Sequence, residues 1–322
     1  MNAPTQTEPT FFRKWAFTFS ILGAVAVGLL FPGWFIEVGE FKFTSLFVPI
    51  LQVIMFCMGT TLSVGDFVRV FRMPAGVGVG LVCQFSIMPI IGFTLVKLFG
   101  LPPEIAAGVI LVGVSPSGLA SNVMALVARA DVAMSVTMTA VATMLSPLLT
   151  PFLMKLLAGT LVEVDALAMM WSMTIMVVFP LLAGLAFHHL VYHRASWLKK
   201  VMPLISMVGI VVMTVLTVAI GRDNLLAMGL ILVVVCFLHI CCGYFFGYSI
   251  CRLLRLNEQT CRTIALEVGM QNSGMASGIA ASLGKVATLG IAPIVFGPIM
   301  TTTSSIIANW WRTHLASEKK LV

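Results

Sequence analysis

The sequence predicts an all-α polytopic membrane protein of ten transmembrane helices. They form an inverted five-plus-five repeat in which spans four and nine are crossed, discontinuous helices. Three observations predict this: a composition that only lipid can solvate, ten apolar runs long enough to cross a bilayer, and a polar pentad that occurs inside both the fourth and the ninth run.

Hydrophobic residues make up 59% of the 322 residues and charged residues only 10%, with a mean hydropathy of +1.06. Soluble domains carry about 25% charged residues, so a chain this poor in charge needs lipid around it. The short polar start, residues 1–10, has no charged n-region, apolar h-region or cleavage site, so neither a removable signal nor a transit peptide is expected. The net charge of +7 does not point to nucleic acid, because the basic residues are scattered over loops on one side.

Crossing the hydrocarbon core takes about 20 apolar residues in a helix. Runs of this kind lie at roughly 15–33, 44–63, 75–98, 105–128, 132–158, 167–190, 201–220, 225–250, 260–283 and 287–311. With the N-terminus inside, fourteen basic residues fall on the cytoplasmic side and five (Lys42, Lys97, Lys155, Arg222, Lys285) on the other, which accounts for all 19. A wrong span count would scramble that bias, so both termini are expected in the cytoplasm. Trp15, Trp34, Trp171, Trp197, Trp310 and Trp311 all fall near span ends, where an interfacial aromatic belt is expected.

The pentad Ser-Gly-X-Ala-Ser stands at residues 117–121 and again at 273–277, 156 residues apart. Five is odd, so the second set of five spans enters the membrane from the opposite face, and a duplicated unit must be inverted. Pro116 and Gly118 loosen span four; Gly269, Gly274 and Gly278 do the same in span nine. A broken helix exposes backbone groups that hydrocarbon cannot satisfy, so such breaks must be buried in protein or line a wet cavity. Duplicated breaks near the midplane are the mark of a secondary transporter, with carbonyls free for cations and half-helix N-termini for an anion.

Glu267 is the one acidic residue in the middle of an apolar run. A charge at that depth costs about 2.5–3.5 kcal/mol on the lenient insertion scale, and no basic residue lies at matching depth. A bound cation would compensate it; a protonated structural glutamate is the alternative. Gln271 and Asn272 nearby offer hard neutral oxygens suited to sodium. Span five presents Ser135, Thr139 and Thr143 on one helix face, span three carries Gln84, and span ten carries Thr301, Thr302, Thr303 and Ser304. The cluster His188, His189 and His193 beside Arg194 reads as a solvated interfacial face, and His239 as a packing residue. The seven cysteines show no CxxC spacing and read as small apolar fillers. No GxSxG, HExxH or phosphate loop stands in a suitable context, so an enzyme is not expected.

The runs GLASNV at 118–123, QFSIMP at 84–89, DVAMSVTMTAVATMLSP at 131–147 and EVGMQNSGMA at 267–276 together resemble the bile acid:sodium symporter family, over nearly the whole chain. The resemblance implies a panel domain of about 11–70 and 165–222 and a core domain of about 74–160 and 224–312. It implies two sodium sites near the crossing. One would use Ser121, Asn122, Ser135, Thr139 and Glu267. The other would use Gln84, Gln271, the Glu267 carboxylate and the carbonyls of Val268 and Met270. Asn272, Ser117, Leu119 and Thr301 are expected at the substrate. The chain departs from the family pattern at Leu119, where a threonine is common, and at Thr301, where a histidine is common.

The resulting expectation is a sodium-coupled symporter in a bacterial plasma membrane. It would import an organic anion, a small pantoate-like carboxylate or a bile-acid-like anion, by alternating access. A proton-coupled transporter or cation/proton antiporter with Glu267 as proton carrier is the alternative. A metalloid exporter would be expected to carry a cysteine in span four, and a receptor would bind without accumulating its ligand. Sodium is the only expected coupling ion, with no other cofactor.

Overall fold

The computed structural model describes residues 11–191 and 197–318. His193, Arg194, Lys319, Lys320 and the polar start at 1–10 lie outside the described residues.

Helix α1 (Phe11–Leu30) is followed by a small hairpin of β1 (Glu37–Val38) and β2 (Phe41–Lys42), then by α2 (Phe47–Gly59) and the short α3 (Val64–Val68). Next come α4 (Pro74–Phe99), the pair α5 (Pro103–Gly113) and α6 (Leu119–Val127), and α7 (Val132–Ala158). Helix α8 (Ala166–Met173) runs through a π-turn, Thr174–Val178, into α9 (Phe179–Val191). The chain closes with α10 (Leu198–Ile220), α11 (Arg222–Leu253), the pair α12 (Glu258–Gly269) and α13 (Ser273–Ser282), and α14 (Ile291–Glu318).

The hairpin and α3 lie between the predicted segments, whereas α7 covers its predicted run of 132–158 residue for residue. By length and apolarity, six helices among the described residues qualify as crossing helices, or seven if the α2–α3 pair, bent by 75°, counts as one. Segments four and nine do not qualify because each is cut in two, as Pro116 and the span-nine glycines led us to expect.

Helix ends follow from local chemistry. The Asp131 carboxylate accepts the Met134 N–H at 3.0 Å to start α7, and its own N–H donates to Thr263 Oγ1 at 2.9 Å. Asp66 forms a capping box with Ser63 and pairs with Arg69 at 3.0 Å, so both acids at span ends are structural. Pro147 deprives the Thr143 carbonyl of its helical donor, and Ser146 Oγ supplies one at 2.8 Å, which lets α7 continue through the proline.

The polarity runs opposite to that of a soluble protein. Val82, Leu98, Phe152, Leu156, Phe179, Leu230 and Leu253 are exposed, while Gln84, Ser117, Ser135, Thr139, Glu267 and Gln271 are buried. Helix α2 packs on α9 and α10, and α1 on α10; α11 packs on α12, α4 and α14. His239 fills a packing position as expected, its Nε2 donating to the Met88 carbonyl at 2.9 Å. One feature differs from expectation: His188 is tied down, its Nδ1 lying 2.7 Å from the Thr60 carbonyl at the end of α2, rather than facing solvent. Trp311 is buried against the Arg262 guanidinium, 5.7 Å from the ring centroid.

The α2–α9 crossing depends on two glycines. A Cβ on Gly59 would strike the Leu181 carbonyl, and one on Gly184 the Phe56 carbonyl. Small residues at such a crossing let the backbones approach, which is how helices associate where lipid is as apolar as the core. Gly59→Ala and Gly184→Ala should each lower stability by about 1–3 kcal/mol through overpacking. Gly23→Ala, with open space around it, should be silent in the same thermal unfolding series in detergent.

Candidate functional site

The two breaks meet. Ser117 and Gln271 form an antiparallel bridge, and the Asn272 N–H donates to the Pro116 carbonyl at 2.8 Å. Backbone groups released by one break are thus satisfied by the other, which is what makes two breaks tolerable at this depth. Thr150 Oγ1 adds a donor at 2.7 Å to the Val114 carbonyl beside the first break.

Glu267, in the last turn of α12, is completely buried, and its carboxylate is surrounded by hydroxyls from three directions. Ser117 in the first break donates to Oε2, as does Thr139 of α7 at 2.9 Å, while Ser135 of α7 lies 2.5 Å from Oε1. Asn122 of α6 turns Oδ1 toward Ser135 Oγ at 2.8 Å and Thr139 Oγ1 at 3.2 Å. Ser121 Oγ donates to the Gly118 carbonyl at 2.7 Å and lies 3.5 Å from Thr139 Oγ1. Ser117 Oγ and Thr139 Oγ1 are 3.3 Å apart.

Proton counting is decisive for this cluster. The hydroxyls of Ser117, Ser121, Ser135 and Thr139 make eight oxygen–oxygen approaches of 3.5 Å or less, yet carry four protons among them. If the protons serve the carboxylate and Gly118, Asn122 Oδ1 faces hydroxyl lone pairs. An oxygen-rich, proton-poor cluster around a buried negative charge suits a hard monovalent cation. Among the described residues no group of three or more His, Cys, Asp and Glu could hold a metal ion, so transition-metal chemistry has no ligand set here.

Beside it, Gln84 Nε2 donates to Gln271 Oε1 at 2.8 Å and to the Ser115 carbonyl at 3.0 Å, and Gln271 Nε2 donates to the Val268 carbonyl at 2.7 Å. Gln84 Oε1 is buried without a partner. The residues expected at a second ion thus lie together, with one unpartnered oxygen among them, and Met270 sits in the break between Val268 and Gln271.

A cleft opens beside the crossing. Asn272, Leu119 and Thr301 line it, while Ser117 does not, because its hydroxyl is turned to Glu267. The first turns of α6 and α13 border the cleft, and Met55, Met58, Ile210 and Met213 make its apolar wall. Thr302, Thr303 and Ser304, grouped with Thr301 by sequence, do not line it. Ser206 and Thr214 of α10 were missed. They are eight residues apart in a run whose only other polar residue is Thr217, a signal the sequence does carry.

The family profile described as the sodium bile acid symporter family matches residues 48–228. The chain belongs to this family. It is 35% identical over 301 residues, 93% of its own length and 90% of the relative's, to the uncharacterized sodium-dependent transporter YocS of Bacillus subtilis. A probable sodium/metabolite cotransporter, BASS1, of rice chloroplasts is 33% identical over 277 residues, 84% of this chain and 68% of the relative. The ileal sodium/bile acid cotransporter of rabbit is 29% identical over 246 residues, 73% and 69% of the two chains. As a member of a transporter family, the protein is a multi-pass membrane transporter and not an enzyme.

Asn272 has a structural duty that must be separated from any binding role. It is the N-cap of α13, its Oδ1 accepting the Met275 N–H at 2.9 Å. Asn272→Ala should lower stability by about 0.5–2 kcal/mol, whereas Asn272→Ser keeps a capping oxygen and should hold the melting temperature near wild type.

Proposed function

We propose that this family member is a sodium-coupled importer of an organic anion, built on ten membrane spans with an inverted repeat and working by alternating access. The observation that carries the reading is the Glu267 cluster, where oxygen approaches outnumber protons around a buried carboxylate. Sodium is the cargo that supplies the missing positive charge. The first ion takes oxygens of Ser121, Asn122, Ser135, Thr139 and Glu267. The second takes Gln84, whose Oε1 lacks a partner, with Gln271, Glu267 and the carbonyls of Val268 and Met270.

The anion's head group sits in the cleft at the first turns of α6 and α13. The positive ends of two helix dipoles lie there, together with the amide of Asn272. Among the described residues no Lys or Arg lines that cleft, so the attraction comes from backbone dipoles and suits a monovalent carboxylate or sulfonate. Leu119 and Thr301 shape the pocket around it. The names of the relatives, sodium/bile acid and sodium/metabolite cotransporters, agree with this cargo class. The panel of α1, α2, α8–α9 and α10 moves against the core that carries the crossing, in a bacterial inner membrane with both termini cytoplasmic.

The test is thermal stability of purified protein in sodium against choline. A ligand that binds only the folded state stabilises it by about 2.7 kcal/mol at 100 times its Kd. Wild type should gain stability with sodium, and Glu267→Gln, which keeps the size and loses the charge, should not. A wild type indifferent to sodium but responsive to pH would replace sodium with the proton as coupling ion.

With two sodium ions and one monovalent anion, each cycle moves one net positive charge inward. Proteoliposomes given sodium and a transported anion should therefore pass an inward current, and electrically silent uptake would refute the stoichiometry.

A further inference from the structure

Helix α11 backs both breaks with an aromatic ring. Gly269 ends α12 at the second break, and a Cβ there would strike the Tyr244 ring. Gly113 ends α5 at the first break, and a Cβ there would come 3.0 Å from the His239 ring and 2.8 Å from the Met88 carbonyl. The two glycines stand 156 residues apart, the same offset as the pentads, so one helix wedges corresponding points of the two halves. Gly243, next to Tyr244, brings α11 and α12 backbone to backbone: a Cβ on it would lie 2.9 Å from the Gly269 Cα.

Both rings are buried, and each carries a polar atom without a hydrogen-bond partner, His239 Nδ1 and Tyr244 Oη. Tyr244 Oη faces the hydroxyls of Thr303 and Ser304 but is in hydrogen-bonding geometry with neither. Those hydroxyls donate to carbonyls of their own helix. An unpaired buried hydroxyl costs stability, so what Tyr244 contributes to the second break is its ring.

We infer that Tyr244 and His239 are positioning residues for the second cation, their rings fixing the backbone on which its oxygens stand. The inference rests on the sodium reading and adds two residues to it. Val268 and Met270 flank Gly269, so any shift of Gly269 against the Tyr244 ring moves both carbonyls. His239 acts on Gln84 from two sides. Its Nε2 holds the Met88 carbonyl at 2.9 Å, one turn beyond Gln84 on α4. Its ring also lies against Gly113, two residues before Ser115, whose carbonyl accepts Gln84 Nε2 at 3.0 Å. Gln84 Oε1, the oxygen left open for the ion, is thereby aimed by a residue of another helix. Binding oxygens have to be held within about 0.5 Å of their working positions, by neighbours whose own rotamers packing has locked.

The experiment measures binding of radiolabelled sodium to the purified full-length protein, with thermal unfolding in choline alongside. Tyr244→Phe keeps the ring and removes the unpaired hydroxyl, so it should bind sodium as wild type does. Tyr244→Leu opens space beside Gly269, and His239→Leu loses the bond to Met88; each should raise the sodium needed for saturation about tenfold. His239→Gln, which can return an N–H to the Met88 carbonyl, should recover part of that loss. A merely structural role would lower the unfolding temperature in choline and leave the sodium affinity unmoved. Where a leucine variant does not fold, Tyr244→Met and His239→Gln take its place, with intermediate weakening expected. Wild-type affinity in the variants at both positions overturns the inference and leaves the sodium reading standing. So does a Tyr244→Phe protein weakened as far as Tyr244→Leu, because the hydroxyl and not the ring would then be acting. A wild type that binds no sodium overturns both.

Discussion

Glu267 sets the terms for the rest of the molecule. A carboxylate buried completely at the end of α12 has no lysine or arginine among its contacts in the described residues, so any charge on it is met by dipoles and by whatever cation the surrounding oxygens admit. That need brings Ser117 from the first break, Ser135 and Thr139 from α7, and Asn122 from α6 to one point. Moving any of these elements would leave an unmet charge or an unmet oxygen. The break at 114–118 is a consequence as well as a cause, since an unbroken helix would bury the Ser117 backbone in its own ladder and lose the bridge to Gln271.

Much of this was legible in the sequence, and the limits have a physical origin. The apolar runs located the elements because every crossing segment needs the same length, and Pro116 with the repeated glycines located the breaks. The residues around Glu267 were legible because polar groups are costly at membrane depth and stand out one by one. The facing of individual helices was not. In a soluble helix the hydrophobic stripe tells which side is buried, but here lipid and core are both apolar and the stripe disappears. The role of Ser206 in the cleft wall, the burial of Trp311 and the attachment of His188 to Thr60 all depend on helix rotation against neighbours. The π-turn at Thr174–Val178 left no mark either, because an extra residue in a helical turn needs no special side chain.

Repetition in sequence does not imply repetition of duty. Ser121 and Ser277 close equivalent pentads, yet one faces the oxygen cluster and the other the cleft. The pentad's common property is local: a glycine that permits the break and small residues that permit a close crossing. What each serine bonds is decided by the partner opposite it. The carboxylate stands only in α12, so only the first pentad finds it. The asymmetry between the pentads therefore rests on one residue: Glu267 stands six residues before the second, where Leu111 stands before the first.

On the proposed reading, coupling between ion and anion needs no long route. The ion cluster includes Ser117; the residue before it, Pro116, accepts the N–H of Asn272, which caps the helix whose first turn faces the anion. A cation that draws Ser117, Glu267 and Asn122 together holds the Ser117–Gln271 bridge in place, and with it the N-terminus of α13. Without the cation the oxygens repel, the bridge loosens and the N–H groups of α13 lose their common aim. The anion's affinity then depends on the cation because the same few backbone atoms serve both. By reciprocity the anion must tighten the cation to the same extent. A design in which one crossing carries both sites makes such linkage hard to avoid, since neither site has a backbone of its own.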